Sequence, residues 1–122
     1  MSKLELVRQT MQDKRLASLG DAFVNFVYSL ALTEISGHPE GVKVSDRDLS
    51  EAFRVAGLRE YLGTRVSKKD LANASESLLI RAYQIRALTI EESVQVITRN
   101  SDGPKAGLAD LLKLATSRLA GV

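Results

Sequence analysis

The sequence has no cysteine and no tryptophan, only two prolines, and a single histidine in 122 residues. Without cysteine there is no disulfide framework, no thiolate metal site and no cysteine nucleophile. The lone His38 lies in a turn-rich segment before Pro39, with no His or Cys neighbour, and reads as a surface side chain. Serines are common but lack a base partner, which argues against a Ser–His catalytic arrangement. The eight glycines are scattered, so no phosphate-cradling loop is present. Aromatics make up 5% of the chain, so its core must be built from Leu, Val, Ile and Ala, a composition suited to helix packing. No segment alternates with period two, and no repeat or low-complexity run occurs. The longest largely apolar stretch, residues 22–32, is interrupted by Asn25 and Ser29 and is too short to span a bilayer. The first residues mix charges from the outset, unlike a signal peptide. The expectation is a cytoplasmic protein with no membrane partner.

What is present is an ordinary globular balance: 44% hydrophobic, 26% charged, net charge +2. The length fits one domain over residues 1–122. A pI near 9.0 permits nucleic acid as a partner without requiring it.

Helix-start signals recur. Ser2 with Glu5, Ser45 with Asp48, Ser67 with Asp70, and Thr89 with Glu92 have the spacing of capping boxes. Behind them, Leu4, Val7 and Met11 repeat at helical spacing, as do Leu49, Ala52, Phe53 and Ala56, and Leu71, Ala74, Leu78, Ala82 and Ile85. Residues 15–34 predict a second helix whose broad apolar face (Leu16, Leu19, Phe23, Phe26, Val27, Leu30, Ala31) suits a largely buried central position. Gly57 is placed as a helix C′ residue, residues 58–62 predict a short helix closed by Gly63, and Pro104 opens the last helix. Six or seven short-linked helices follow, an all-α fold formed as one compact multi-helix domain.

Carboxylates are the remaining candidates for chemistry. Asp21 follows Gly20 inside an apolar helix, where a carboxylate is costly unless it has a partner or a metal. Asp13 and Ala17 lie on its face. Asp70, Asn73 and Glu76 recur every three residues and share a face of another helix. If the two helices pack together, Asp21 and Glu76 meet with Asn73 nearby, and such oxygen ligands suit Mg²⁺ or Mn²⁺. From spacing alone, Asp70 and Glu76 read more readily as a solvated helix face than as a site.

Arg15-Leu-Ala-Ser-Leu-Gly-Asp-Ala22 resembles the signature segment of ribonuclease III, Glu-Arg-Leu-Glu-Phe-Leu-Gly-Asp-Ala. Leu71-Ala-Asn-Ala-Ser-Glu-Ser-Leu-Leu-Ile-Arg-Ala-Tyr83 resembles the family's second segment, Leu-Ala-Asp-Ala-Phe-Glu-Ala-Leu-Ile-Gly-Ala-Ile-Tyr. Leu49-Ser-Glu-Ala-Phe-Arg-Val-Ala-Gly-Leu58 and Thr89-Ile-Glu-Glu-Ser-Val94 look most like its short archaeal branch, which has no double-stranded-RNA-binding domain. The resemblance implies the ribonuclease III endonuclease fold and a homodimer that forms an RNA-binding valley. It also implies acids that bind divalent metal and hydrolyse RNA. Carried over, Asp21 and Glu76 match as catalytic and metal residues. The other two acidic places fall on Ala17 and Asn73, and the signature's leading Glu falls on Lys14. Losing negative ligands weakens the hold on a divalent cation and the activation of its water. Asn73 still offers a carbonyl, and Asp13 or Asp70 stands an adjacent turn away.

Lys14, Arg15, Arg59, Arg65, Lys68 and Lys69 cluster before the two motif helices. Arg15, Arg65, Lys68 and Lys69 are the candidates for RNA contact, since A-form RNA is read largely through backbone and 2′-hydroxyls. The bland alternative is that they solubilise loops and pair with Glu60 and Asp70. The first functional reading is a Mg²⁺- or Mn²⁺-dependent endoribonuclease acting on structured or double-stranded RNA, with activity weakened by Ala17 and Asn73. The alternative is a catalytically degenerate RNA-binding or ribosome-associated dimer of the same fold. A DNA-binding helix-turn-helix at residues 51–62 fares worse, because its second helix is so short.

Overall fold

Hydroxyl side chains start the helices. Ser2, Ser45, Ser67 and Thr89 accept hydrogen bonds from the backbone N–H groups of Glu5, Asp48, Asp70 and Glu92 at 3.0–3.1 Å. Asp13 does the same for Leu16 N–H at 3.0 Å. The computed structural model describes residues 2–121. Its elements are α1 (Lys3–Met11), α2 (Lys14–Ser36), α3 (Asp46–Val55), a 3₁₀ turn (Arg59–Tyr61), α4 (Lys68–Gln84), α5 (Ile90–Thr98) and α6 (Pro104–Leu119). Among the described residues there is no strand, so the fold is all-α.

The packing of α2 on α4 is the spine, with Gly20 against Glu76 and Phe23 against Tyr83. α1 and α3 lie against α4, α5 against α2 and α6, and α6 closes the core against α4 and α3. Phe53, Leu71, Leu78, Leu79, Leu111 and Leu112 are fully buried in that core. Among the described residues, only the Ser67 start completes a full capping box, because the Asp70 carboxylate also accepts from Ser67 N–H at 3.0 Å. Ser67→Ala is expected to cost about 1 kcal/mol in urea denaturation, the usual value of a lost N-cap. A change below a few tenths of that would assign α4's start to packing alone.

Several expectations are corrected by the packing. Leu19 and Phe26 are about half exposed, and Leu30 is also on the surface, so the apolar face of α2 is broader than its buried face. Leu16, Phe23, Val27 and Ala31 turn inward at helical spacing, whereas Leu19 and Phe26 are left to solvent and Leu30 borders an open groove with α5. The stretch at 22–32 belongs to a helix of 23 residues, which is long and apolar enough by length and composition to cross a membrane, with its inner face packed in the core. Ile85 lies one residue past α4 and is exposed, as the C-cap, rather than continuing the buried stripe. The segment after Gly57 is a 3₁₀ turn of three residues, too short to be the recognition helix of a helix-turn-helix. Glu92 leaves its capping position to form a two-pronged contact with Arg118, which also donates to Ala87 C=O at 2.8 Å. That contact clips the end of α6 to the start of α5.

Candidate functional site

The site sits where the spine is narrowest. A Cβ on Gly20 would fall 2.1 Å from the Glu76 carbonyl oxygen, so only glycine lets α2 and α4 approach this closely. That approach sets Asp21, the next residue, in hydrogen-bond contact with the Glu76 carboxyl. Asn73, one turn earlier on α4, shares the same open cavity of about 560 Å³. Lys14, Ala17, Ser18, Lys43, Asp46 and Lys69 complete its wall.

Lys43 and Asp46 arrive by a ladder of side-chain bonds. Thr33, Ser29 and Asn25 lie four residues apart on one stripe of α2, and Asp21 continues it. The chain after Gly37 returns along that stripe in extended form. Glu40 N–H donates to Thr33 Oγ1 at 3.0 Å, Val42 N–H to Ser29 Oγ at 2.9 Å, and Val44 N–H to Asn25 Oδ1 at 2.8 Å. The match is metric: four helical residues rise about 6 Å and two extended residues about 6.6 Å. At its end, Lys43 Nζ lies 3.4 Å from Asp21 Oδ2, and α3 begins with Asp46, which pairs with Lys69 at 3.4 Å.

The electrostatics follow from burial. Glu76 is 4% exposed, and burial together with the neighbouring Asp21 pushes its carboxyl up to about 8. At neutral pH it holds a proton and donates it toward Asp21. That hydrogen bond, with Lys43 adding to it, holds Asp21 below the usual carboxylate range. Asn25 Nδ2 also donates to Asp21, at 3.4 Å.

Of the residues singled out by sequence, Asp21, Asn73, Glu76 and Lys69 line the cavity, together with Ala17 and Lys14. Arg15, Arg65 and Lys68 are exposed and lie outside its lining. Asp13 and Asp70 are committed to the caps of α2 and α4, so neither replaces a missing acid. Arg59 donates to the carbonyls of Leu62, Gly63 and Thr64, holding its own loop. The signal for Lys43 and Asp46 was the polar stripe Asp21, Asn25, Ser29, Thr33, whose four-residue spacing marks a place for a returning strand of chain.

An all-oxygen set of this kind suits a hard divalent cation in type. It does not suit one in arrangement. Asp21 and Asp46 are each met by a lysine, and Ala17 and Asn73 bring no charge. Among the described residues, no group of three or more His, Cys, Asp or Glu side chains is placed to hold a metal ion.

Residues 14–115 match the family model described as Ribonuclease III, a span that includes α2 to α5 and the cavity they frame. Among curated proteins, none matches the chain.

Proposed function

The chain belongs to the ribonuclease III family, whose members act on double-stranded RNA and generally use divalent metal ions, and on that premise we propose that it binds structured or double-stranded RNA through the lysine-rimmed cavity, as a homodimer. The observation that carries the reading is the interleaving of Lys14, Lys43 and Lys69 with Asp21 and Asp46 around one opening. Ammonium groups suit backbone phosphates, and ionised carboxylates accept hydrogen bonds from 2′-hydroxyls. Arg15 and Lys68, each next in sequence to a cavity lysine, extend the cationic rim, with Arg65 nearby in the chain. The exposed Leu19, Phe26 and Leu30 on α2 give the dimer an apolar face. The leucines of α6 are not available for this, since Leu108, Leu111 and Leu112 are buried and Leu114 and Leu119 pack on the core.

A second reading, a metal-dependent endoribonuclease, is favoured by one observation: Asp21 and Glu76 share a hydrogen bond in an open cavity. A labelled RNA duplex incubated with Mg²⁺ or Mn²⁺ separates the two. Binding without cutting is expected. Lys69→Glu is expected to weaken it about tenfold and to lower the salt slope by about one phosphate contact. Metal-dependent cutting lost in both Asp21→Ala and Glu76→Ala would establish the second reading instead. Absence of both binding and cutting would remove both, and a monomer on a sizing column would remove the dimer.

A further inference from the structure

The family generally uses divalent metal ions, yet the cavity presents three lysines against three carboxyl groups. Lys43 faces Asp21 and Lys69 faces Asp46, both at 3.4 Å, and Lys14 stands on the same wall. Metal affinity in oxygen sites rises with the number of negative ligands. Here each ionised carboxylate of the cavity already has a cation at contact distance.

Lys43 is not a chance surface neighbour. The residues on either side of it are fixed to α2, Val42 through Ser29 Oγ at 2.9 Å and Val44 through Asn25 Oδ1 at 2.8 Å. The backbone therefore delivers residue 43 to Asp21 whatever its own side chain contributes. With side chains 75% and 38% exposed, the pair itself adds little to stability. Its consequence is local charge. An ammonium has three N–H donors, and one is spent on Asp21 Oδ2, which leaves donors for a phosphate arriving at the cavity that Lys43 lines.

We propose that Lys43 is a built-in counter-ion, standing where a divalent cation would otherwise be drawn to Asp21, so that the cavity meets phosphate as a metal-independent lysine site. The phosphate half of this rests on the RNA-binding reading above; the counter-ion half does not.

Two measurements on the full chain test it. In the first, Mn²⁺ is titrated and the bound fraction read from loss of the free-ion paramagnetic resonance signal, with circular dichroism confirming that each variant is folded. Lys43→Ala and Lys43→Gln are expected to bind Mn²⁺ about tenfold more tightly than the wild type, while Lys43→Arg stays at the wild-type level. Asp21→Asn added to Lys43→Ala is expected to abolish the gain. Equal Mn²⁺ affinity in the wild type and Lys43→Ala would overturn the proposal. In the second, wild-type affinity for an RNA duplex is expected to be unchanged by EDTA and reduced several-fold in Lys43→Ala. Loss of RNA binding on adding EDTA would also overturn it. If no variant binds RNA while the Mn²⁺ series behaves as expected, the RNA-binding reading fails and the counter-ion role stands.

Discussion

Gly20→Ala is expected to destabilise the protein by at least about 3 kcal/mol, the upper end of what overpacking usually costs. The added Cβ would lie 2.1 Å from the carbonyl oxygen and 2.5 Å from the carbonyl carbon of Glu76. Those atoms are helix backbone, so no rotamer change relieves the clash. Relief requires α2 and α4 to separate, and that interface is the spine against which α1, α3, α5 and α6 pack. Separation opens voids beside Val24, Leu79 and their neighbours, all now fully buried. It also draws Asp21 away from Glu76, so the variant is expected to lose the elevated Glu76 titration along with its stability. Gly41→Ala is the matched control, because a Cβ there meets nothing within 4 Å and the backbone is not left-handed. Urea denaturation of both variants decides the matter. A Gly20→Ala protein within 1 kcal/mol of wild type would show that the two helices can part without loss, and that the glycine is not what brings the carboxyl groups together.

The helices were legible because their signals are local. A serine or threonine with an acid three residues on, a Gly after an apolar run and a Pro at a helix start each act within one turn, and the structure uses them at Ser45, Ser67, Gly57 and Pro104. The meeting of Asp21 with Glu76 was legible only in combination, since it needs two helices and a glycine at their crossing. The outward Leu19 and Phe26 were misread because periodicity reports apolar faces and not which of them has a partner. Lys43 was missed for a different reason: the polar stripe on α2 marks where chain can return, but not which residue it brings. The contact of Lys43 with Asp21 spans 22 residues and depends on an extended segment bonded to helix side chains, a pairing that belongs to no short motif. Asp46 reads from sequence as a first-turn acid of α3, which it is, and its place in the cavity comes only from where α3 begins.

Raising the pH from about 5 to about 8 is expected to weaken the fold, by an amount set largely by Glu76. Its carboxyl titrates at about 8 in the folded chain and at the ordinary 4.5 in the unfolded one. Between those values the folded state holds a proton that the unfolded chain has released, so stability falls as pH rises. The stabilising contribution is fully present below about 4.5 and lost once pH passes about 8. At about 1.4 kcal/mol per pKa unit, and discounted for water in the open cavity, the decline is on the order of 3 kcal/mol. Asp21 works in the opposite direction and in a different window. Its folded value lies below 3.8, so its contribution is present above that pH and fades only in more acidic solution. Urea midpoints at intervals from pH 4.5 to 8.5 check the slope. Glu76→Gln keeps the shape and the donor toward Asp21 but cannot ionise, so its profile should be flat through this window and exceed the wild type at the alkaline end. A wild-type profile as flat as that of Glu76→Gln would mean that Glu76 is not held protonated by Asp21 and burial. The same proton is what lets the two carboxyl groups sit in contact, so losing it would remove the physical basis for their pairing as well.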